Sequence, residues 1–466
     1  MGTEAERMSD LAEWLRRLSP EVRAALRWEL DQLDQEPPGP ASPGERELAD
    51  LFGRLRARRR VVITGLGAVT PLALNVKETW QGLLEGRSGI DRITQIDASN
   101  YPTRIAGEVK GFEASDYMDR KEARRMERFS QFAVAAAKEA LEDARLDLDA
   151  VGREQVGVLM GTAIGGLSAT EETVRGLMVG KRVSPFYLVT MVPNMAAFHV
   201  CHIYDLRGYN NTVTTACAAG AQAVGEATEV IRRGAAQVML AGGTESSNAE
   251  VGLAGFCAMR GLSTRNDDPQ RASRPFDKDR DGFVCSEGCG MLVLENLEHA
   301  LARGAHIYAE ILGYSATSDA YNIAAPDPEA EGAARAIRWA LEDAGVSPED
   351  VDYINAHGTG TVLNDTMETL AIKHVFGEQA YRVPVSSTKS MIGHLFGGAG
   401  AVEAMVCALT IKHGVIHPTI NYETPDPECD LDYVPNVARE AKVDVVLSNS
   451  FGLGGQDACL VVGRYR

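Results

Sequence analysis

Long apolar runs are missing from this chain. A helix that crosses a membrane needs about 20 consecutive apolar residues, and the sequence contains no stretch of that kind. The residues from Met1 to Asp10 are polar and acidic, so they have neither the apolar core of a secretory signal nor the acid-poor character of an organelle transit peptide. We therefore expect a cytoplasmic protein without a membrane span.

Positive charge is also in short supply. The 466 residues include 47 lysines and arginines against 65 aspartates and glutamates, a formal net charge of −18. Proteins that bind nucleic acid show a basic surface, so this balance argues against a general nucleic-acid binder while leaving room for a local basic patch. Hydrophobic residues make up 45% of the chain. That content excludes intrinsic disorder for most of it, because burying this much apolar surface offsets the entropy lost on folding.

Cysteine is sparse, with eight residues scattered along the chain, mostly in apolar segments. Secreted domains that depend on disulfides have a much denser framework, so we expect reduced thiols. Cys285 and Cys289 are four residues apart, but no second pair of cysteines or histidines lies nearby to complete a zinc site. We expect these two side chains to be small buried hydrophobic groups, and we predict no metal site.

Residues 1–58 differ from the rest of the chain. Leucine and valine recur three or four residues apart between Leu11 and Leu33, which indicates one face of an amphipathic helix. A linker rich in proline and glycine follows at 36–44, and a second short helix is predicted for Glu45 to Arg58. We expect a helical extension that either packs on the body of the protein or docks a partner.

From Val61 onward, apolar strands alternate with helices, which predicts an α/β fold with mixed or parallel sheets. A strand, a glycine-rich turn and a small-residue helix occur in both halves of this region, which indicates an internal duplication. The predicted strands are Val61 to Gly67, Val156 to Met160, Ala236 to Leu240, Gly290 to Leu294, Val351 to Ile354 and Val445 to Leu447. The predicted helices are Lys121 to Ala144, Ala218 to Arg233, Gly332 to Ala344 and Gly398 to His413.

Gly65 and Gly67 end the first predicted strand and suggest a turn of the dinucleotide-binding type. The third glycine of that fingerprint is missing because Thr70 stands in its place, and no acidic residue follows at the expected strand end. We therefore predict no nicotinamide cofactor and interpret the segment as a buried strand that runs into a glycine turn.

Several segments carry residues suited to chemistry. Thr214 to Gly220 is a β-forming run that reaches Cys217, and a small-residue helix begins directly after it. The partial positive charge of a helix N-terminus favours a thiolate, although a buried structural cysteine explains this segment equally well. His357 and His394 each lie at a strand–turn–helix junction, which suits a Cys-His-His site. The loop from Ser448 to Asp457 is rich in glycine, so its backbone N–H groups are free to face a ligand.

The order of these motifs points to a family. The segments Thr215–Cys217, Asn355–Thr359, Lys389–His394 and Asn449–Gly455 resemble, in that order, the motifs of the elongating type II β-ketoacyl-acyl-carrier-protein synthases of the thiolase superfamily. The resemblance extends from Val61 to the C-terminus and implies a duplicated five-layer α-β-α-β-α fold. It also implies two halves and an additional N-terminal segment, with boundaries at 1–58, 59–310 and 311–466.

The resemblance implies that Cys217 receives an acyl group from a carrier protein by covalent catalysis. His357 and His394 then act on a malonyl thioester, whose decarboxylation yields the carbanion that attacks the acyl group. The backbone N–H groups of Cys217 and Leu453 form the oxyanion hole. No separate cofactor is implied, because both substrates arrive on the phosphopantetheine of a separate acyl carrier protein.

Further residues match supporting positions of the family. Lys389 and Glu403 match an ion pair behind the site, with Asp365 nearby, and Lys389 is interpreted as electrostatic support. The residues that match substrate-binding positions are Ile164, Thr359, Thr361, Phe451 and Leu453.

The carrier protein implied by the resemblance is acidic, so docking on this acidic chain needs a local positive patch. Lys121, Arg124, Arg125 and Arg128 are three or four residues apart on one predicted helix, which places them on a common face. Arg260 matches a further docking position. The family also forms homodimers, in which the segment 191–198 lines the acyl pocket, and the extension at 1–58 is a candidate docking segment for another synthase component.

Three departures from the family pattern affect specificity. Leu453 stands at the position of a gating phenylalanine, and Gln456 and Asp457 stand where the family usually has threonine and asparagine. Ala324 and Ala325 replace hydroxyl residues of the pantetheine tunnel, so at least one hydrogen bond to the arm is expected to be missing. Together with the N-terminal extension, these changes indicate a specialised synthase of a fatty-acid, polyketide or unusual-lipid pathway.

Two alternatives remain open from the sequence. One is a non-catalytic chain-length partner subunit of a ketosynthase heterodimer, although such partners typically lack the nucleophile that Cys217 provides. The other is a priming or decarboxylating ketosynthase. Priming relatives carry asparagine where His394 stands, and decarboxylating relatives carry glutamine where Cys217 stands. A degradative thiolase is also disfavoured, because His394 occupies the position that is typical of elongating synthases.

Overall fold

The computed structural model describes residues 59–246 and 249–466, and residues 59–466 form one unit. The helical extension predicted for 1–58 lies outside the described residues. The strands are β1 (Val61–Val69), β2 (Asp91–Arg92), β3 (Ile105–Ala106), β4 (Val156–Gly161), β5 (Asn210–Val213), β6 (Val238–Glu245), β7 (Gly288–Asn296), β8 (Ala309–Ser318), β9 (Tyr353–Asn355), β10 (Val385–Ser386), β11 (Val415–Ile416), β12 (Arg439–Glu440), β13 (Val445–Gly452) and β14 (Gln456–Gly463).

The helices are α1 (Val76–Leu84), α2 (Arg120–Ala123), α3 (Arg128–Ala144), α4 (Leu148–Val151), α5 (Leu167–Met178), α6 (Tyr187–Met191), α7 (Met195–Tyr204), α8 (Ala219–Arg232), α9 (Glu250–Ala258), α10 (Leu297–Ala302), α11 (Glu331–Ala344), α12 (Val362–Phe376), α13 (Lys389–Ile392) and α14 (Ala399–His413). In the described part of the chain, no helix is both long and apolar enough to cross a bilayer.

The main sheet contains the same strand arrangement twice. Its order is β10-β9-β13-β14-β8-β1-β7-β6-β4-β5. Counted outward from the centre, the first half has the order β1-β7-β6-β4-β5 and the second half β8-β14-β13-β9-β10. In both halves, the first strand in sequence is followed by the fifth, fourth, second and third. The two halves meet where β1 pairs with β8 through only two residue pairs, Val62 with Glu310 and Ile63 with Ala309. This order is the structural counterpart of the predicted duplication. The predicted boundary after residue 310 lies inside β8 and stays a prediction.

Helices cover both faces of each half, which produces five layers. Strand side chains alternate between the layers because successive residues of a strand point to opposite faces. In β7, Met291 and Val293 pack outward against α3, whereas Leu292 and Leu294 pack inward against α8 and α14. On the other side, α11 and α12 cover the strands of the second half. The predicted thiolase-like α/β architecture is confirmed.

The glycines of β1 serve helix packing and form no turn. β1 continues without interruption to Val69, beyond the predicted turn at Gly65 and Gly67. A Cβ at Gly65 would lie 2.3 Å from the Ala140 carbonyl oxygen, and one at Gly67 would lie 1.9 Å from that of Ala136. The backbone of α3 therefore approaches β1 so closely that only glycine fits, and the prediction of a turn was wrong.

The helix predicted for Lys121 to Ala144 is two helices. Glu127 adopts an extended conformation (φ −76°, ψ 157°), and its side chain accepts a hydrogen bond from the Phe129 N–H. This caps α3 at its N-terminus and separates it from the short α2. Arg124 and Arg125 lie in the intervening turn, so the basic residues do not share one helical face as predicted.

Candidate active site

One cavity of about 640 Å³ unites most of the residues singled out by the sequence. Cys217, His357 and His394 all contribute to its wall. Cys217 and His357 follow the strands β5 and β9, whereas His394 lies between the short helix α13 and the 3-10 turn that leads into α14, and not at the predicted strand–turn–helix junction. The predicted substrate-binding residues line the same cavity: Ile164, Thr359, Thr361, Phe451 and Leu453. Segments more than 200 residues apart in sequence therefore converge on one concave site, which is the expected arrangement for a ligand pocket.

Cys217 lies in a tight turn at the start of α8. The 3-10 turn Ala216–Ala218 leads directly into the helix, and Ala216 has a positive φ of 49°, a strained conformation for a residue with a side chain. The turn is what presents the sulfur to the cavity. Strain of this kind persists only where the surrounding structure enforces it, as at a functional site.

The thiol of Cys217 is neutral in the free protein, in contrast to the expected thiolate. Burial raises the pKa of Cys217 to about 11, because water no longer stabilises the charged form. The N–H groups of Leu453 and of Cys217 itself donate to the sulfur and, with the charge of Lys389, oppose this increase in the pKa. The helix N-terminus alone does not outweigh desolvation, so ionisation has to accompany the reaction.

His357 is held by groups on both its backbone and its ring. Its backbone N–H and that of Gly358 donate to the two carboxylate oxygens of Glu368, at 2.8 and 2.7 Å. On the ring, Nδ1 lies 3.5 Å from the Lys389 ammonium nitrogen. Because an ammonium is only a donor, this contact favours the tautomer in which Nδ1 accepts and Nε2 carries the proton.

His394 completes a compact aromatic cluster. Its ring lies 5.4 Å from that of His357, nearly perpendicular to it, and it stacks on Phe396 at 5.0 Å. Its backbone N–H donates to the Val284 carbonyl at 2.8 Å. Burial and the charge of Lys389 place the pKa of both histidines well below their usual value. Both rings are therefore neutral at pH 7, and each has one N–H to donate.

Lys389 and Glu403 form the predicted ion pair behind the site. The Lys389 ammonium lies 2.5 Å from a Glu403 carboxylate oxygen, and both side chains are buried. Asp365 was expected beside this pair, but it supports a different segment. It accepts from the backbone N–H groups of Thr359 and Gly360 and holds the loop that follows His357.

Two buried glutamates were missed by the sequence reasoning. Glu368 holds the His357 loop and also accepts from the Asn449 amide at 3.1 Å. Glu245 accepts from the N–H groups of Ala163 at 2.6 Å and Gly165 at 3.2 Å, on the loop that carries Ile164. Burial raises the pKa of each to about 7. Glu368 lies one helical turn after Asp365, so its position on the same face was the signal available in the sequence.

The hydroxyl groups of Thr359 and Thr361 are 3.0 Å apart at the cavity wall. Thr361 also caps α12 by accepting from the Asn364 N–H at 3.4 Å. Ala324 and Ala325 line the cavity too, and their N–H groups donate to the Asn322 side chain. Both alanines therefore lie where a hydroxyl side chain would face the cavity. The predicted loss of a hydrogen bond to the phosphopantetheine arm stays a prediction.

The candidate docking residues differ in exposure. Lys121, Arg124 and Arg260 are exposed, and Arg260 contributes to the mouth of the cavity. Arg125 is half-buried, 3.5 Å from Glu122 and over the ring of Phe186. Arg128 does not belong to this surface, because it is paired with the fully buried Glu287 at 2.8 Å.

The family model for the β-ketoacyl synthase N-terminal domain matches residues 58–300, and that for the C-terminal domain matches residues 308–423. The curated 3-oxoacyl-[acyl-carrier-protein] synthase 2 of Synechocystis sp. is 52% identical over 412 residues, which cover 88% of this chain and 99% of the relative. The protein of the same name from Staphylococcus aureus is 50% identical over 409 residues, 87% of this chain and 99% of the relative.

Solved structures show the same architecture. A type II polyketide ketosynthase in complex with its acyl-carrier protein and bound to a hexaketide matches with a TM-score of 0.81 and 37% identity, covering 88% of this chain and 100% of that chain. A β-ketoacyl synthase from Burkholderia phymatum matches with a TM-score of 0.81 and 38% identity over the same shares of the two chains. With both domain models matched and a cavity lined by one cysteine and two histidines, this chain belongs to the β-ketoacyl synthase family.

Proposed function

We propose that this protein is a β-ketoacyl-acyl-carrier-protein synthase in which Cys217, His357 and His394 perform the condensation. The observation that carries the proposal is their convergence on one cavity, with a buried Lys389–Glu403 pair behind them. Homologues named 3-oxoacyl-[acyl-carrier-protein] synthase 2, at about half identity over nearly their full length, support the same reaction.

In the first half-reaction, the Cys217 sulfur attacks the thioester carbonyl of an acyl carrier protein. A carbon–sulfur bond to Cys217 forms, the bond to the phosphopantetheine sulfur breaks, and the departing thiolate takes up the proton that Cys217 loses. The pKa of Cys217 of about 11 means that this proton leaves as the sulfur attacks. The backbone N–H groups of Cys217 and Leu453, which donate to the sulfur in the free protein, are the donors proposed for the tetrahedral oxyanion.

In the second half-reaction, a malonyl thioester loses carbon dioxide. The electron pair of the broken carbon–carbon bond is delocalised onto the thioester carbonyl, which gives an enolate. Neutral His357 and His394 each present an N–H to the enolate oxygen, which lowers the barrier without a change in their protonation. The enolate carbon attacks the acyl carbonyl on Cys217, the bond from that carbonyl to the Cys217 sulfur breaks, and the departing thiolate takes up a proton from solvent. The product is a β-ketoacyl chain on the carrier protein, as in fatty-acid or polyketide elongation.

Intact-protein mass spectrometry tests this assignment. Wild type and Cys217→Ser are incubated with a panel of acyl carrier proteins and then with malonyl carrier protein. Acyl mass on wild type alone, followed by a β-ketoacyl product two carbons longer, is the expected result and also reports the preferred chain length. An acylated Cys217→Ser protein would overturn the assignment of the nucleophile. No adduct with any carrier would favour the non-catalytic partner subunit instead.

The carrier protein is proposed to dock near the mouth of the cavity. Arg260 contributes to the wall there, and Lys121 and Arg124 are exposed, so these three residues provide unshielded positive charge for an acidic partner. Arg125 also belongs to the proposed docking surface. It is less exposed than the other three residues, and its charge is already paired with Glu122.

Two copies of the chain are proposed to form a homodimer. Exposed apolar side chains are concentrated around α5, α6 and α7, the region that includes the predicted pocket segment 191–198, and such patches mark interaction sites. These side chains are Val174, Leu177, Met178, Val179, Phe186, Leu188 and Phe198. Sedimentation equilibrium at micromolar concentration should give twice the chain mass, and a monomer would contradict the proposal.

A further inference from the structure

The ring of His394 is held in a different way from that of His357. The backbone of His394 is fixed, because its N–H donates to the Val284 carbonyl at 2.8 Å and its carbonyl accepts from the Ser286 N–H at 3.0 Å. Its ring nitrogen Nδ1, however, is buried without a hydrogen-bond partner among the described residues. In His357, Nδ1 lies 3.5 Å from the Lys389 ammonium nitrogen. The orientation of the His394 ring therefore depends on what packs against it.

Three other rings pack against the His394 ring. Phe396 lies nearly parallel to it, with the centroids 5.0 Å apart and an angle of 26° between the planes. Phe283 and His357 are nearly perpendicular to it, at 5.6 and 5.4 Å. The last torsion of a histidine side chain has only broad, roughly two-fold preferences, so it does not select an orientation by itself. A ring that lies flat against the imidazole restricts this torsion most directly, because a rotated imidazole would clash with its face.

Phe396 is itself firmly held. Its φ of 46° is a left-handed conformation, an outlier for a bulky residue that persists only where the surroundings enforce it. The preceding Leu395 is fully buried in the core that contains α8 and α14. The ring of Phe396 stacks on Phe256 at 5.1 Å and 19°, and Phe283 lies perpendicular to it at 5.8 Å. Phe396 therefore provides a fixed surface against which the His394 ring rests.

These rings belong to the wall of the candidate active site. Phe256, Phe283, His394 and Phe396 all line the cavity, and Cys217 packs against the same apolar cluster. Phe396 has no polar side-chain atom, so it acts on the reaction only through a neighbour, either an acyl chain on Cys217 or His394. Its side chain is 2% exposed and offers little surface to a bound chain. The stacked contact therefore favours His394 as the group that Phe396 affects.

We propose that Phe396 is a positioning residue for His394: its ring fixes the plane of the imidazole so that the His394 N–H faces the enolate oxygen formed from the malonyl thioester. This inference rests on the proposed function of His394. A donor that is fixed in advance needs no reorganisation when the charge develops, whereas a freely rotating ring presents its N–H only part of the time. The effect is therefore confined to decarboxylation and does not extend to acyl transfer to Cys217.

The first test separates kcat from KM. Phe396→Leu removes the ring and keeps an apolar side chain. It should lower kcat for decarboxylation of malonyl carrier protein about tenfold, with KM and Cys217 acylation unchanged, because the donor remains and only its orientation is lost. Phe112→Leu is the matched control, since Phe112 stacks on Tyr117 at 5.3 Å but does not line the cavity, and it should keep all three values. Impaired acylation with wild-type decarboxylation in Phe396→Leu would assign the ring to the acyl pocket and overturn the proposal.

The second test asks whether the effect passes through His394. In the His394→Ala background there is no imidazole to position, so adding Phe396→Leu should change decarboxylation by less than about twofold. The same substitution should cost about tenfold in the wild-type background. An equal loss in both backgrounds would contradict the positioning role, because Phe396 would then act independently of His394.

Crystal structures of wild type, Phe396→Leu and Phe112→Leu provide a readout that does not depend on activity. The His394 ring should leave its wild-type plane or occupy two orientations in Phe396→Leu, and it should be unchanged in Phe112→Leu. A wild-type ring orientation in Phe396→Leu would show that the stack does not hold His394. If His394→Ala decarboxylated malonyl carrier protein at the wild-type rate, the proposed function of His394 would fail instead. The crystal structures would still decide whether Phe396 fixes its ring.

Discussion

The helices that begin after Cys217 and after Gly397 start in the same way, one in each half of the molecule. Each follows a 3-10 turn, Ala216–Ala218 or Phe396–Gly398, whose first residue has a positive φ of 49° or 46°. The second residue of the turn is Cys217 in one half and Gly397 in the other. The duplicated backbone therefore offers two equivalent positions, but only one of them carries a side chain.

Space explains the difference. A Cβ on Gly397 would lie 2.4 Å from the Ala163 nitrogen and 2.5 Å from the Thr162 Cα, so no side chain fits there. Cys217, by contrast, contributes to the cavity wall. The second half contributes His357, His394 and Lys389 to the site. In the proposed reaction, one copy of the fold therefore provides the nucleophile and the other provides the groups for decarboxylation.

The loops after the corresponding strands β4 and β9 show a second similarity. Glu245 accepts backbone N–H groups from the loop after β4, and Glu368 does so from the loop after β9. The carboxylates come from different places, since Glu245 ends β6 and Glu368 lies in α12. The same physical requirement, partners for several buried N–H groups, is met by unrelated sequence positions.

The largest expected effect comes from substitutions at the two equivalent turn positions, 217 and 397. Cys217→Ser should lower acylation by at least about 10³-fold, because a hydroxyl is a much weaker nucleophile than a thiol. Gly397→Cys should create no second acylation site, since a side chain there has no room. Mass mapping of acylated peptides checks both, and acyl mass on residue 397 would break the comparison.

The histidine variants separate the two half-reactions. His357→Ala and His394→Ala should each lower decarboxylation by about 10²–10³-fold, because each removes a donor to the enolate oxygen. Acylation of Cys217 should be much less affected. Release of carbon dioxide from malonyl carrier protein and acylation monitored by mass spectrometry provide the two measurements. Equal losses in both would assign the histidines a general structural role.

The contact between α8 and α14 is tested through their glycines. Gly400→Ala and Gly220→Ala should each lower the free energy of unfolding by about 1–3 kcal/mol, because the new Cβ would lie 2.5 Å from Ala221 N or 2.7 Å from Gly397 O. Gly255→Ala in α9 is the matched control, since nothing lies within 4 Å of its Cβ position. Denaturant unfolding should show that this control is neutral or stabilising. A neutral Gly400→Ala would show that the halves are less tightly packed.

The two loop carboxyls should make stability depend on pH. Burial raises the pKa of Glu245 and Glu368 to about 7, whereas the unfolded chain releases these protons near pH 4. Their contribution is therefore complete below about pH 4 and is lost as the pH rises to about 7, by roughly 1–3 kcal/mol. Glu368→Gln and Glu245→Gln should each flatten part of this decrease in urea unfolding. If the free energy of unfolding of either variant still depended on pH as in the wild type, that glutamate would not contribute to the decrease, and the two loops would differ in their electrostatics.

The smallest expected effect concerns the surface. Reversing Lys121 and Arg124 to glutamate should raise the apparent KM for the carrier protein a few-fold and reduce its salt dependence, because exposed charges mainly affect encounter. Lys442→Glu, another exposed lysine, is the control and should leave KM unchanged. Equal KM values for both variants would exclude α2 and the turn after it from docking.

The sequence alone predicted an alternation of strands and helices, and it identified the family through the motifs around Cys217, His357, His394 and Lys389. These are local motifs in which a few adjacent residues carry the signal. It did not reveal the roles of Glu245 and Glu368, because each depends on which distant backbone N–H groups lie opposite the carboxylate. The division of the helix at Glu127 was missed for the same reason, since helical periodicity continues across it.

The protonation states were decided by the tertiary structure. A helix N-terminus predicts a thiolate at Cys217, yet burial raises its pKa to about 11. The reason is that local dipoles can be read from a few residues, whereas desolvation depends on every group that excludes water from the sulfur. The sequence determined which groups this protein has for chemistry, and packing decided which of them are charged.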